Sequence, residues 1–215
     1  MVFRESDVNL ERVKELLSQC DRLIVSTVKK NTLFESLFSS KHVISLNPST
    51  PLPITNCYQT PHSLGNDRIA LAVGATANFP NNNVLVIDAG TCITYDFINS
   101  KKEYLGGSIS PGIQMRYNAL HQFTSQLPLL ESVDTAKLTG ANTEGSIHSG
   151  IINGVLVEID GIIQRYTNQY PDLKVIVTGG NAKFFDKGLK NTIFANPNLL
   201  MEGLNKILDY NESYF

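Results

Sequence analysis

The chain has 215 residues, 42% hydrophobic and 18% charged, with a net charge of −2 and a pI near 6.1. That length suits one large domain or two lobes of about 100 residues each, and the apolar fraction excludes wholesale disorder. There is no basic surplus to neutralise a run of phosphates, so nucleic acid is not an expected partner. Cys20, Cys57 and Cys92 form no CxxC and no His/Cys pair at zinc spacing, so a reduced, cytoplasmic protein without a disulfide framework is expected. Charges at Arg4, Glu5, Asp7, Glu11 and Arg12 argue against a signal peptide. No window of 18 residues is both apolar and uncharged, so no membrane span is expected.

In chain order, a weak strand over residues 1–4 precedes an amphipathic helix over 6–19, with Leu10, Val13, Leu16 and Leu17 on one face. A strand over 22–28 follows. Thr32-Leu-Phe-Glu35 has capping-box spacing and opens a second helix. After a strand over 42–46 and a loop marked by Pro48, Pro51 and Pro53, an Ala- and Val-rich helix is expected over 66–78. The turn Asn81-Asn-Asn is the expected boundary between a first lobe, 1–80, and a second, 81–215. Val84 to Ile87 form an unbroken apolar run, as in a buried central strand. The pattern then alternates, with Ile93, Tyr95 and Phe97 on one side and Thr94 and Asp96 on the other. A hairpin turn at Asn99-Ser-Lys-Lys leads to a strand over 103–109. Pro111-Gly112 opens a helix to about 122, a long helix covers 143–169, and a strand covers 173–177. The turn Thr178-Gly-Gly180 follows, and a last helix spans 197–210. The two halves match as a duplicated α/β unit if the first lacks its opening hairpin.

Four features could carry chemistry. At Asp88-Ala-Gly-Thr91 a buried strand delivers a carboxylate to a turn whose N–H groups and hydroxyl suit phosphate oxygens, and the carboxylate can hold a cation beside them. The four residues alone fit an ordinary hairpin turn as well. Gly65-Asn-Asp-Arg68 offers a carboxylate beside a guanidinium, although Asn66 or Asp67 as an N-cap with Arg68 on the surface is the simpler reading. Thr178-Gly-Gly180 is either a backbone platform for an adenosine or a plain turn. Gly150 and Gly154, with Ser146, form a small-residue stripe whose simplest reading is close helix packing. The four histidines have no metal-ligand spacing.

The motifs Tyr58-x-x-Pro61-x-x-Leu64-Gly65-x-Asp67-Arg68, Asp88-Ala-Gly-Thr91-x-Ile93-Thr94-Tyr95-Asp96, Gly106-Gly107-x-Ile109-x-Pro111-Gly112, Asn142-Thr143-x-x-x-Ile147-x-x-Gly150 and Thr178-Gly179-Gly180 occur in this order. Together they resemble the type III pantothenate kinases, also known as Bvg accessory factor proteins, over about residues 55–210. The resemblance implies an α/β protein of two ribonuclease-H-like lobes, as in acetate and sugar kinases, Hsp70 and actin. It implies phosphorylation of pantothenate by ATP, the first step to coenzyme A, in a homodimer that uses magnesium and a monovalent cation, potassium or ammonium. Carried over residue by residue, Asp67 matches the proton acceptor, and Tyr58, Gly65, Asn66, Arg68 and Thr143 match pantothenate contacts. Gly90 and Thr91 match ATP contacts, and Asp88 the monovalent-cation ligand.

The family opens with a strand and an Asp-x-Gly-Asn-Thr turn that this sequence does not contain, so an incomplete first lobe and weakened ATP binding are expected. Two rival readings follow: a non-enzymatic accessory or regulatory protein of the same fold, and a kinase of the superfamily acting on a sugar or acetate. The 58–68 loop argues against the second.

Overall fold

A computed structural model describes residues 19–26 and 42–212, with Glu11 and Glu15. The expected opening strand, the helix over 6–19 and the helix at Thr32 lie largely or wholly outside the described residues, as does the expected loss of an N-terminal hairpin. The strands Arg22–Val25 (β1) and His42–Ser45 (β2) pair in parallel as a sheet of their own.

The remaining strands form one six-stranded sheet. They are β3 (Thr55–Asn56), β4 (Val84–Ala89), β5 (Cys92–Ile98), β6 (Glu103–Pro111), β7 (Lys174–Thr178) and β8 (Phe194–Ala195), in the spatial order β3-β6-β5-β4-β7-β8. The pairs β4–β5 and β5–β6 are antiparallel, while β4–β7, β7–β8 and β3–β6 are parallel. The helices are α1 (Asn66–Asn78), α2 (Ile113–Gln122), α3 (Thr143–Gln169), α4 (Ala182–Gly188) and α5 (Leu199–Tyr210). From β4 to β7 and in α5 the elements are those expected of the second lobe, with α4 and β8 between. β3 was not foreseen, because two residues are too few to show a period.

Strand alternation sorts the core into two layers. Leu85, Ile87, Ile93, Tyr95, Phe97 and Val177 face α2, α3 and α4, and bury Ile152, Val155, Ile159 and Phe185. Val84, Val86, Ile98, Tyr104 and Ile176 face α1 and α5, against Leu71, Val73, Leu199 and Ile207. Each large side chain so buried contributes about 1.5–3 kcal/mol of hydrophobic stabilisation. The boundary expected at residues 80 and 81 falls between α1 and β4, yet in space α1 packs on the six-stranded sheet.

The helix α3 has 27 residues and is apolar enough, by length and composition alone, to cross a membrane. Its Ile147–Ile163 stripe instead fills the core, and its Glu158 is paired with Arg116. The stripe at Gly150 and Gly154 does not pack closely against the described residues, contrary to expectation. A Cβ at either position, or at Gly161, would meet nothing within 4 Å.

Candidate active site

The N-terminus of α1 lies over the ends of β4 and β5. Asp88 pairs in register with Thr94 and with Thr178, and Asp96 pairs with Val86. Asp88, Thr94 and Asp96 therefore share the sheet face that α1 covers.

The expectation that Asn66 or Asp67 caps α1 fails. The N-cap is Gly65, and no side chain caps there. The Asn66 amide reaches back to donate to the Leu46 carbonyl oxygen (2.8 Å). Asp67 Oδ1 accepts from the Arg68 backbone N–H (2.9 Å), and a Cβ on Gly65 would collide with that oxygen. Glycine at 65 thus leaves room for the Asp67 carboxylate.

Nor is Arg68 a surface charge; it is 7% exposed. Its Nε donates to Asp96 Oδ1 (2.8 Å). Nη2 lies 2.7 Å from the same oxygen, so one edge of the guanidinium is ion-paired to Asp96. Burial acts to lower the Arg68 pKa, but the hydrogen bond and charge of Asp96 outweigh it, and the guanidinium is held above its ordinary value. Asp96 is fully buried and also accepts from Tyr104 Oη (2.7 Å) and, on Oδ2, from Thr94 Oγ1 (2.9 Å). Burial first, then the charge of Asp96, pushes the Tyr104 hydroxyl well above its usual range. The Arg68 guanidinium also lies 5.8 Å from the centre of the Tyr58 ring. Tyr58 packs against Gly106, whose φ of +99° belongs to the left-handed region that favours glycine. A shallow pocket of about 330 Å³ opens beside Tyr58, lined by Cys57, Gln59, Thr60, Leu105 and Gly107.

Asp88 has no such partner. Burial, then the charges of Asp67 and Asp96, raise its pKa to about 6. Gly179, at φ +92°, passes so close beneath it that a Cβ there would strike Asp88 Oδ1. The charges of Asp67 and Asp96 thus both act on Asp88, an excess of negative charge that a bound cation would offset. Among the described residues no three His, Cys, Asp or Glu side chains converge as metal ligands.

The turn after Asp88 is pinned, with Gly112 N–H donating to the Thr91 carbonyl oxygen (3.0 Å) and Thr91 exposed. The Gly90 N–H is already engaged by the Cys92 carbonyl oxygen (3.0 Å), so it is not a free phosphate donor as expected. Tyr58, Gly65, Asn66, Asp67, Arg68 and Asp88 come together. Thr143 does not join them: it opens α3 on the other face of the sheet, after the cap in which Asn142 Oδ1 accepts from Gly145 N–H (2.7 Å). Sequence reasoning missed Asp96 and Tyr104 as site residues. The one signal was an Asp at an inward position of an otherwise apolar strand, which a buried charge occupies only with a partner.

This strand order, with helices on both faces, is the ribonuclease-H-like α/β arrangement expected from the sequence. A crystal structure of a Baf family protein from Campylobacter jejuni superposes with a TM-score of 0.63 over 96% of this chain and 90% of that one, at 24% identity. The sequence profile of type III pantothenate kinases matches residues 3–165. The type III pantothenate kinase of Christiangramia forsetii is 45% identical over 216 residues, 99% of this chain and 89% of that protein. That of Cytophaga hutchinsonii is 49% identical over 189 residues, 88% and 80% of the two chains. The chain belongs to the type III pantothenate kinase family.

Proposed function

We propose that this chain transfers the γ-phosphoryl group of ATP to the terminal hydroxyl of pantothenate, giving 4′-phosphopantothenate, the first step of coenzyme A biosynthesis. The observation that carries the reading is Asp67 at the α1 N-terminus, beside a buried Arg68 and across from Asp88. Asp67 accepts the hydroxyl proton as that oxygen bonds to the γ-phosphorus. The bond from phosphorus to the β–γ bridging oxygen breaks, and ADP leaves. A positioned base of this kind contributes about 10²–10⁴ in rate.

Tyr58, Gly65, Asn66 and Arg68 orient pantothenate. Thr91 touches ATP through its exposed hydroxyl, while Gly90, its N–H engaged by Cys92, contributes only the close approach of its backbone. Asp88 suits a monovalent cation, potassium or ammonium, because the surplus of carboxylates around it calls for positive charge; such an ion would offset charge on the phosphates. Magnesium would be held chiefly by the ATP phosphates. A homodimer fits the open glycine face of α3, and a contact from Thr143 would then come from a second copy. The cytoplasm is the fitting compartment for such an enzyme.

The test is ADP release by the purified chain with magnesium and potassium. Turnover should require both ATP and pantothenate and should fall when potassium is replaced by a bulky organic cation. Absence of pantothenate-dependent ADP release would refute the reading.

A further inference from the structure

We infer that Asp96 is a positioning residue of this site: it holds the Arg68 guanidinium toward the substrate and away from Asp67. The inference rests on the proposed pantothenate kinase reaction. Asp96 cannot touch substrate itself, because it is fully buried at the centre of the sheet, between Val86 of β4 and Gly107 of β6. Its orientation is fixed by three donors on three elements. Arg68 Nε and Tyr104 Oη converge on Oδ1, and Thr94 Oγ1 holds Oδ2.

Nε and Nη2 both lie against Asp96 Oδ1, at 2.8 and 2.7 Å, so Asp96 takes up one whole edge of the guanidinium and fixes the direction of the other. The Tyr58 ring lies 5.8 Å from the guanidinium and limits its swing. Asp67, the neighbour in sequence whose Oδ1 already accepts from the Arg68 backbone N–H, is the rival carboxylate. Paired with Asp67, the guanidinium would compete for the group that takes the hydroxyl proton. The buried Asp96 removes that competition by offering a better-desolvated, three-donor partner. It stands 28 positions away in sequence from the arginine it holds.

The test is Asp96→Asn in the full chain, with steady-state kinetics in each substrate. Neutralising Asp96 frees Arg68 to swing to Asp67, so the KM for pantothenate should rise about tenfold and kcat should fall about tenfold, while the KM for ATP stays within about twofold. A merely structural role would disturb both substrates alike. In an Arg68→Lys background, Asp96→Asn should change the pantothenate KM by less than about twofold, because its effect runs through Arg68. Multiplicative effects in the double variant, or equal rises in both KM values, would overturn the inference. Should Asp96→Asn fail to fold, Tyr104→Phe removes one donor and keeps the charge. It should raise the pantothenate KM by about threefold with the ATP KM unchanged, and a folded variant with a wild-type KM overturns the inference too. A wild-type chain that releases no ADP with pantothenate overturns the proposed function and this inference with it. An active wild type with an unchanged Asp96→Asn variant overturns the inference alone.

Discussion

Asp67 and Asp88 face the same space but are held differently, and each predicts its own phenotype. The rotamer of Asp67 is set by its hydrogen bond from the Arg68 amide and by the missing Cβ at Gly65. Asp67→Asn keeps that shape and loses the proton acceptor, so kcat should drop by about 10²-fold or more with the pantothenate KM changed only a few-fold. A near wild-type kcat would remove Asp67 from the mechanism. Asp88, with its pKa raised to about 6 from 3.8, is harder to ionise in the folded chain than in the unfolded one. Its contribution to stability is therefore lost as pH rises from about 4 through 6, a loss of at most about 3 kcal/mol. Asp88→Asn should accordingly melt higher than the wild type at pH 7.5, with the difference vanishing near pH 4. Added potassium should raise the wild-type melting temperature and leave the variant unmoved. Equal melting of the two proteins at both pH values would contradict this account.

At the scale of elements, α1 owes its placement to α5. The two helices cross backbone to backbone: a Cβ on Gly74 would come 2.5 Å from the Leu199 carbonyl oxygen, and one on Gly203 would collide with the Ala70 carbonyl oxygen. Overpacking of this kind typically costs about 1–3 kcal/mol. Gly203→Ala should therefore lower the melting temperature by several degrees, and also reduce turnover, because it tilts the helix that begins with the site loop. Loss of stability at full activity would show that α1 can shift without disturbing Asp67. Much at this scale was legible in the sequence. The alternation of Thr94 to Phe97 assigned both faces of β5, and the bounds of α1 and α3 followed from their flanking turns. What was not legible depended on contacts across the chain. Arg68 reads as a surface charge until the β5–β6 register brings Tyr104 and Asp96 beneath it. The glycines of α3 read as packing residues until the space around them is seen to be open. A glycine inside a helix costs about 0.5–1 kcal/mol relative to alanine, so Gly74 and Gly203 were the available hint of a close crossing.

For the whole molecule, the open face of α3 carries Val157 at 72% exposure, and Ile109 of β6 is 64% exposed. Apolar side chains this bare on an ordered helix and strand suit a second copy of the chain. Light scattering at micromolar concentration should give twice the chain mass of 23.7 kDa, and Gly154→Arg should return it to a single chain mass. A monomeric wild type at that concentration would refute the dimer.

The parallel pairing of β4 with β7 also sets a timetable. Asp88 arrives early in the chain, but Gly179, which packs beneath it, follows only after α2 and α3 have been threaded. Loop closure over such a separation is slow, and local hairpins form long before it. During refolding, the β4–β5–β6 meander should gain hydrogen-exchange protection first, with the amides of β7 later. Catalytic competence should return with the second event, so that a half-folded chain has the meander of its sheet and no working pocket.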